Sequence, residues 1–276
     1  MTDRSHNLSR IFFPILVVTA TSALNLLTAS QCYADDNVDK GETIAREAER
    51  RDRGWGDSQA QAIMILEDIG GNTRERRLRL STLERRGDNQ GDKSLVVFDE
   101  PRDIKGTALL SYTRILEPDD QWLFLPALKR VKRISSANKS GSFVGSEFAY
   151  EDITGQEFEK YTYKWLLDEP CDLLECFVVE RRPRYANSGY SRLVTWYDTE
   201  AYRIMRVDYF DLDGDHLKTL SLDDYRQYED RFWRPHELTM DSFLTGKSTI
   251  LRYENYRFAT GLTERDFDQG SLRRTR

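Results

Sequence analysis

The chain has 276 residues, 32% of them charged and 12% aromatic, with 41 Lys and Arg against 47 Asp and Glu and a net charge of −6. That acidic balance argues against general nucleic-acid binding, which demands a basic surface. The modest 16 Gly and 7 Pro fit a globular chain with ample length to bury a real core.

Met1 to Arg10 is polar and carries Arg4 and Arg10. An apolar run follows from Ile11 to about Leu27. Pro14, Thr19, Thr21, Ser22 and Asn25 interrupt it, so it is a poor membrane span. Cys32-Tyr33-Ala34 then puts small residues where a signal peptidase reads them, with Asp35 next. This order is that of a secretory signal peptide cleaved between Ala34 and Asp35. An uncleaved anchor helix is one rival. A lipid-modified Cys32 is another, although Gln31 stands where that modification expects a small residue. Arg4, Arg10 and Asp3 leave with the leader, so 39 basic and 46 acidic residues remain. The expected organisation is a signal peptide over 1–34, a leader and N-terminal helix over 35–57, and a single β domain over 58–276.

Asp39-Lys40-Gly41-Glu42 resembles a capping box, with Asp39 as N-cap and Glu42 three residues on. Thr43 to Arg51 follows, with Ile44, Ala45 and Ala48 on one helical face, and predicts a short amphipathic helix that ends near Gly54.

From about Ser58 the period changes to two. In Glu159 to Leu167, Tyr161, Tyr163, Trp165 and Leu167 alternate with Lys160, Thr162 and Lys164. Tyr190, Val194 and Trp196 share one face of Tyr190 to Asp198. Met205, Val207 and Tyr209 share one face of Arg203 to Asp211, and Leu238 and Met240 share one of His236 to Leu244. Each run reads as a strand with one dry and one wet face. Gly87-Asp88-Asn89-Gln90-Gly91, Asn187-Ser188-Gly189 and the hairpin signal Asp213-Gly214 read as turns. About ten strands without intervening helices predict an antiparallel meander, and a sheet that wide curls towards an open or half-closed barrel.

Ile134 to Gly155 breaks the pattern. Ser135, Ser136, Asn138, Ser140, Gly141, Ser142, Gly145 and Ser146 make it loop-like. Phe143, Phe148 and Tyr150 anchor it, and Tyr150-Glu151-Asp152 has the form of a single helical turn. A long small-residue loop with aromatic anchors is a candidate lid, with an ordinary packed surface loop as the alternative.

Cys171 and Cys176, separated by four residues, favour a local disulfide across a tight turn in an exported chain. A metal site would need further ligands, and beyond the leader the only histidines are His216 and His236. No metal and no cofactor is expected. Thr245-Gly246-Lys247-Ser248-Thr249 contains the Gly-Lys-Ser of a phosphate loop, but Asp241 stands where the earlier glycine belongs, so nucleotide binding is rejected. No Ser or Cys has a legible base beside it, and the expectation is a protein that is not an enzyme.

Two features remain for function. Lys129, Arg130, Lys132 and Arg133 fall within five positions of an otherwise acidic chain. They suit an anionic head group or an acidic partner surface, or else form a solvated strand face. The aromatics Trp122, Phe124, Phe143, Phe148, Tyr161, Tyr163, Trp165 and Trp196 are candidates to line a cavity for acyl chains, or else form an ordinary core.

Several longer strings carry a resemblance. They are Gly91 to Phe98, Asp103 to Leu110, Asp120 to Ile134, Gly145-Ser146-Glu147-Phe148-Ala149-Tyr150-Glu151-Asp152, and the closing Gly261-Leu262-Thr263-Glu264-Arg265-Asp266-Phe267. Together they resemble the LolA-like outer membrane lipoprotein-sorting protein family, over a span from about Gly54 to the C-terminus. The resemblance implies a LolA/LolB-type fold: a mainly β, strongly curved antiparallel sheet forming a half-open barrel, with helices or loops at its mouth. It also implies a periplasmic protein that holds acyl chains of a lipid or lipoprotein, with an RND-type exporter as partner. A non-carrying adaptor of such an exporter is the alternative.

Overall fold

The computed structural model describes residues 22–85, 90–155 and 157–273, with side chains from Asp35 onward. It divides into a unit of residues 1–36 and a unit of residues 37–276. The sheet and its core belong to the second unit. Most of the expected leader, including its basic start, and all but the end of the Gly87–Gly91 turn lie outside the described residues.

Among the described residues one helix, α1 (Ser22–Asp52), precedes the sheet. The expected cap at Asp39 is corrected: Asp39 to Glu42 lie inside the helix, which already includes Ser22. No proline interrupts Ser22 to Asp52, and nothing in that stretch compels a start at Asp39. The predicted end is close, since Gly54 follows with a positive φ of 102°. Gly41 is tolerated inside the helix because its bare Cα faces the backbone of a strand, discussed below.

Among the described residues thirteen strands follow rather than about ten. They are β1 (Asp57–Glu67), β2 (Thr73–Leu83), β3 (Gln90–Glu100), β4 (Ala108–Arg114), β5 (Asp120–Leu125), β6 (Arg130–Ile134) and β7 (Tyr161–Cys171). The rest are β8 (Leu174–Pro183), β9 (Arg192–Asp198), β10 (Ile204–Phe210), β11 (His216–Tyr228), β12 (Phe232–Ser242) and β13 (Ser248–Phe258). They form one antiparallel sheet in the order β6-β5-β4-β3-β2-β1-β13-β12-β11-β10-β9-β8-β7. Every neighbour in that order is a neighbour in sequence except one pair, β1 and β13. Those two join the first and last strands, with Ser58 opposite Phe258 and Glu67 opposite Ser248. The sheet is not closed, and its two free edges, β6 and β7, are consecutive in the chain. This is the half-open barrel that the resemblance implied.

The seam between β6 and β7 is spanned by residues 135–155 and 157–160 of the connecting segment. Within them, Tyr150–Asp152 is the single tight turn the sequence suggested, here 3-10 in form. Phe143 is 1% exposed, and its ring lies 5.7 Å from those of both Phe98 and Tyr150, so the crossing segment is packed into the core.

The main core lies on the inner face of the sheet. It joins Ile44 and Ala45 of α1 to Met64, Leu78, Phe98, Leu109, Val179, Leu193, Tyr209 and Met240 on eight strands. A second, smaller core lies elsewhere. Phe267 and Leu272 of the C-terminal tail cover Val97, Ala108 and Leu110, with Trp122 and Phe124 against them. The closing string thus has a structural task. Thr263 and Asp266 cap a 3-10 turn, Glu264 pairs with Arg85 and Lys93, and Tyr112 donates to the Phe267 carbonyl.

The hairpin between β7 and β8 carries the expected disulfide, Cys171–Cys176. Gly214, in the turn between β10 and β11, has φ 91°, and Asn187, in the connection from β8 to β9, has φ 64°.

Candidate functional site

The curved sheet and the last turns of α1 enclose a hollow of about 570 Å³. That volume lies in the range of small-molecule sites. Ala45 and Ala48 line it from α1, and Leu80, Leu222, Leu238 and Ile204 from the strands. Phe158, Tyr163, Tyr197, Tyr202 and Tyr225 give it aromatic walls. It reaches the surface where the exposed residues Arg53, Gly155 and Arg231 contribute to the lining.

The rim is held by ion pairs and hydrogen bonds that tie the end of α1 to the sheet. Arg234 pairs with Asp52, and Arg231 donates to the Arg53 carbonyl at 2.6 Å. Arg51 donates to the Glu200 carbonyl at 2.6 Å, while Glu84 accepts from the amides of Gly54 and Gly56 at 2.7 and 3.0 Å. Asp198 organises the turn between β9 and β10. Its carboxylate accepts from the amides of Glu200, Ala201 and Arg203 and from the Arg203 guanidinium. Burial alone would raise its pKa, but those hydrogen bonds outweigh it and hold the group below the usual carboxylate range.

Asp92 stands in the same wall. Burial, reinforced by the neighbouring charges of Glu157 and Glu84, pushes its pKa up to about 7. Its carboxylate accepts from the Arg85 amide at 2.9 Å, and its own amide donates to Glu157 at 3.2 Å. Burial raises Glu157 as well.

Of the eight aromatics considered for a cavity, Tyr163 lines this hollow. Phe143, Phe148 and Tyr161 are buried in the main core, where they fill the space beneath the seam segment. Trp122 and Phe124 sit against the C-terminal tail, because that tail covers their face of β5. Leu193 and Tyr197 are the core-facing residues of β9, so alternation turns Trp196 the other way. There its indole donates to Glu169 at 2.6 Å, beneath the Arg206 guanidinium. Trp165 is half-buried beside α1, with the Lys40 ammonium 3.6 Å above its ring and its indole donating to Asp168 at 2.6 Å. A register shift between Trp165 and Leu167 ends the alternation that began at Tyr161. Period-two reasoning identified the strands and could not tell which of two covered faces enclosed the void.

The basic string is part turn and part edge strand. Lys129 takes a left-handed conformation, φ 50°, just before β6, which begins at Arg130. Lys129, Arg130 and Lys132 are exposed. Arg133 pairs with Asp120, which Arg114 also contacts at 2.7 Å. The acids Glu151 and Asp152 have other partners than this basic string. Glu151 accepts from Tyr185, Ser188 and the Gly189 amide, and Asp152 from Lys218 and Tyr190.

Sequence reading missed a cluster of buried charge under the seam segment. Lys160 and Asp119 form an ion pair that is almost completely buried. Lys139 is 3% exposed, and its ammonium has no hydrogen-bond partner among the described residues. Burial lowers its pKa to about 8, against the opposing pull of Asp119. Glu49, Glu157 and Glu159 bring carboxylate oxygens within 4.8 Å of one another, the one group among the described residues with that spacing.

A curved antiparallel sheet, open along one seam and hollow inside, is the architecture of the LolA-like open barrels. A domain from Vibrio parahaemolyticus named for outer membrane lipoprotein sorting is 49% identical, with TM-score 0.83, covering 86% of this chain and 100% of its own. A DUF1329 family protein from Desulfovibrio piger is 28% identical, with TM-score 0.81, covering 86% and 99%. A LolA superfamily protein from Nitrosomonas europaea shares the fold at 20% identity and TM-score 0.67, covering 84% and 98%. A family model described as "-like: Uncharacterized protein" matches residues 90–274. No curated protein matches the chain. The chain belongs to the LolA-like outer membrane lipoprotein-sorting protein family. No helix among the described residues is long and apolar enough to cross a membrane.

Proposed function

We propose that this chain is a periplasmic carrier that shields an acyl chain of a lipid or lipoprotein and delivers it towards the outer membrane. The observation that carries the reading is the hollow of about 570 Å³ between α1 and the concave face, walled by Leu80, Leu222, Leu238 and Tyr163 and open at its rim. Each CH₂ removed from water is worth about 0.8 kcal/mol, so a long acyl chain is held tightly yet reversibly, with no covalent step. The role is one of binding and transfer rather than catalysis. Export would be directed by residues 1–34, with cleavage between Ala34 and Asp35. The name of the Vibrio parahaemolyticus relative supports lipoprotein sorting as the setting.

The test is mass spectrometry of the protein purified from a periplasmic extract under native conditions. Co-purifying acylated molecules in near-stoichiometric amount are expected, and a lipid-free protein that takes up no acyl ligand overturns the carrier reading.

One observation favours a second reading, an adaptor of an RND-type exporter that carries nothing. Lys129, Arg130 and Lys132 are exposed at a free sheet edge, an arrangement suited to an acidic partner. An exporter complex that survives purification without bound lipid would favour it.

A further inference from the structure

The two free edges of the sheet carry opposite charge. Leu125 to Ile134, which enters and forms β6, holds Lys129, Arg130, Lys132 and Arg133 and no acid. Trp165 to Glu180, in the β7–β8 hairpin, holds Asp168, Glu169, Asp172, Glu175 and Glu180 and no Lys or Arg. Arg133 is paired with Asp120, Asp168 with Lys40 and Glu180 with Arg182, while Glu169 accepts from the Trp196 indole. Lys129, Arg130 and Lys132 on one side, and Asp172 and Glu175 on the other, are exposed without an ion-pair partner among the described residues. Their surroundings do not cancel them. The loop between β3 and β4 brings Arg102 and Lys105 against Asp103 to the basic end. Burial and then the charges of Asp172 and Glu237 raise the Asp223 carboxyl, a further acid beside the hairpin. Each patch also shows a leucine: Leu128 is 62% exposed, and Leu173 is 100% exposed at the hairpin tip that Cys171–Cys176 clamps.

Edges charged only to discourage pairing would repel best with the same sign on both, whereas opposite signs attract. The antiparallel order places the β5–β6 turn at the end shared by the β10–β11 turn, and the β7–β8 hairpin at the end shared by the β9–β10 turn. The eleven residues of β7, about 36 Å of extended chain, separate those ends, so the patches do not meet within one molecule. We propose that two copies dimerise about a two-fold axis, seam towards seam, each setting its basic β5–β6 turn against the acidic β7–β8 hairpin of the other. Two equivalent contacts then form at once, the closed arrangement commonest among oligomers, and each brings Leu128 and Leu173 together amid opposite charges. Pro170 lies in β7 and has no N–H to offer, so the contact is made by turns and side chains rather than by an added strand. The dimer is independent of the carrier reading and supplies the basic string with an acidic partner from the same chain.

The experiment uses the chain purified from a periplasmic extract and measures its mass by sedimentation equilibrium across a concentration and salt series. The parent should pass from monomer to dimer, with a dissociation constant that rises at least about tenfold from low to high ionic strength. Lys129→Glu with Arg130→Glu, and separately Asp172→Lys with Glu175→Lys, should each weaken the dimer about tenfold or more, the low end for close charge pairs at an interface. Mixed one to one, the two variants should regain parent affinity, because every contact again joins opposite charges. Circular dichroism is the folding control, and should either variant fail to fold, the parent's salt dependence decides. A monomer at every concentration overturns the inference, as does a dimer indifferent to salt and to both variants. Two weakened variants that stay apart when mixed overturn it too, since each patch then has some other partner. Growth beyond the dimer overturns the two-fold arrangement.

Discussion

Gly41 of α1 lies against the backbone of Trp165, so close that a Cβ on Gly41 would sit 2.5 Å from the Trp165 amide nitrogen and 2.7 Å from the Lys164 carbonyl carbon. Backbone cannot swing aside as a side-chain tip can. Gly41→Ala should gain up to about 1 kcal/mol of helix propensity and lose more than that by pushing α1 off β7, at the roughly 1–3 kcal/mol typical of overpacking. The expected result is a lower midpoint in urea, with hydrogen exchange accelerated in α1 and β7. An unchanged midpoint would mean that the helix and strand separate freely.

The two buried lysines of the seam segment, Lys139 and Lys160, should respond in opposite directions. Lys160→Met leaves Asp119 buried without its cation, a change that costs about 3–5 kcal/mol. Lys139→Met removes an ammonium that lacks a hydrogen bond and keeps its hydrocarbon volume. It should stabilise the protein by about 1–3 kcal/mol, the scale of an unsatisfied buried group. Chemical denaturation of both variants checks the pair of signs.

Asp92 sets a pH dependence. Its folded pKa of about 7 lies above the ordinary carboxylate value, so the folded state binds the extra proton between the two. Stability from this residue is therefore fully present below about pH 4 and is lost as pH rises through 7. Asp92→Asn keeps an acceptor for the Arg85 amide and removes the titration. It should raise the melting temperature at pH 8, and the parent's decline from pH 5 to pH 8 should flatten. Asp198, held low by its hydrogen bonds, works the other way, contributing stability above the ordinary carboxylate pKa that is lost as pH falls through its own depressed value.

Truncating Trp165 and Phe143 should separate helix docking from seam packing. Trp165 is partly exposed beneath Lys40, outside the lining of the hollow, so Trp165→Ala should loosen α1 while bound lipid stays near the parent level. Phe143→Ala empties a packed site between Phe98 and Tyr150 and should cost about 3–5 kcal/mol. Thermal melts read beside lipid content distinguish the two.

Charge reversal on the β5–β6 turn and edge tests the docking role. Lys129→Glu with Arg130→Glu should slow delivery of cargo between vesicles and a partner membrane at low ionic strength. The defect should shrink as salt shortens the Debye length, about 8 Å at physiological strength. Unchanged transfer at low salt by a folded double variant returns the string to an edge whose charges only discourage strand pairing.

The fold was legible because strands announce themselves locally. The alternation at Met205, Val207 and Tyr209 and the Asp213-Gly214 turn fixed β10 and its hairpin with β11. The site was legible only in part. Alternation says that Tyr163 and Trp196 each face something, but both faces of this sheet are covered in places, the inner by α1 and the outer by the tail at Phe267. Arg181, which lines the hollow two residues beyond Val179, shares that residue's face, yet a charge beside Arg182 at the end of a strand reads as solvent-exposed until the neighbouring strands are placed. Lys139 and Lys160 are hidden for the same reason. Both belong to the long crossing segment, whose path depends on where the two sheet edges come to rest.

The strand order makes the molecule a simple up-and-down ribbon whose numbering starts in the middle. Read from β7 through β13, then β1 to β6, every strand pairs with the one before it. Each half can therefore assemble from short hairpins, whereas joining Ser58 to Phe258 must draw together the two ends of the sheet-forming chain. Loop-closure entropy places that joining late in folding. Until it happens, β1 and β13 each expose an unpaired edge. The crowded hours of this chain's life are thus before its centre has zipped, when a chaperone or a matching strand from another copy would find its widest target.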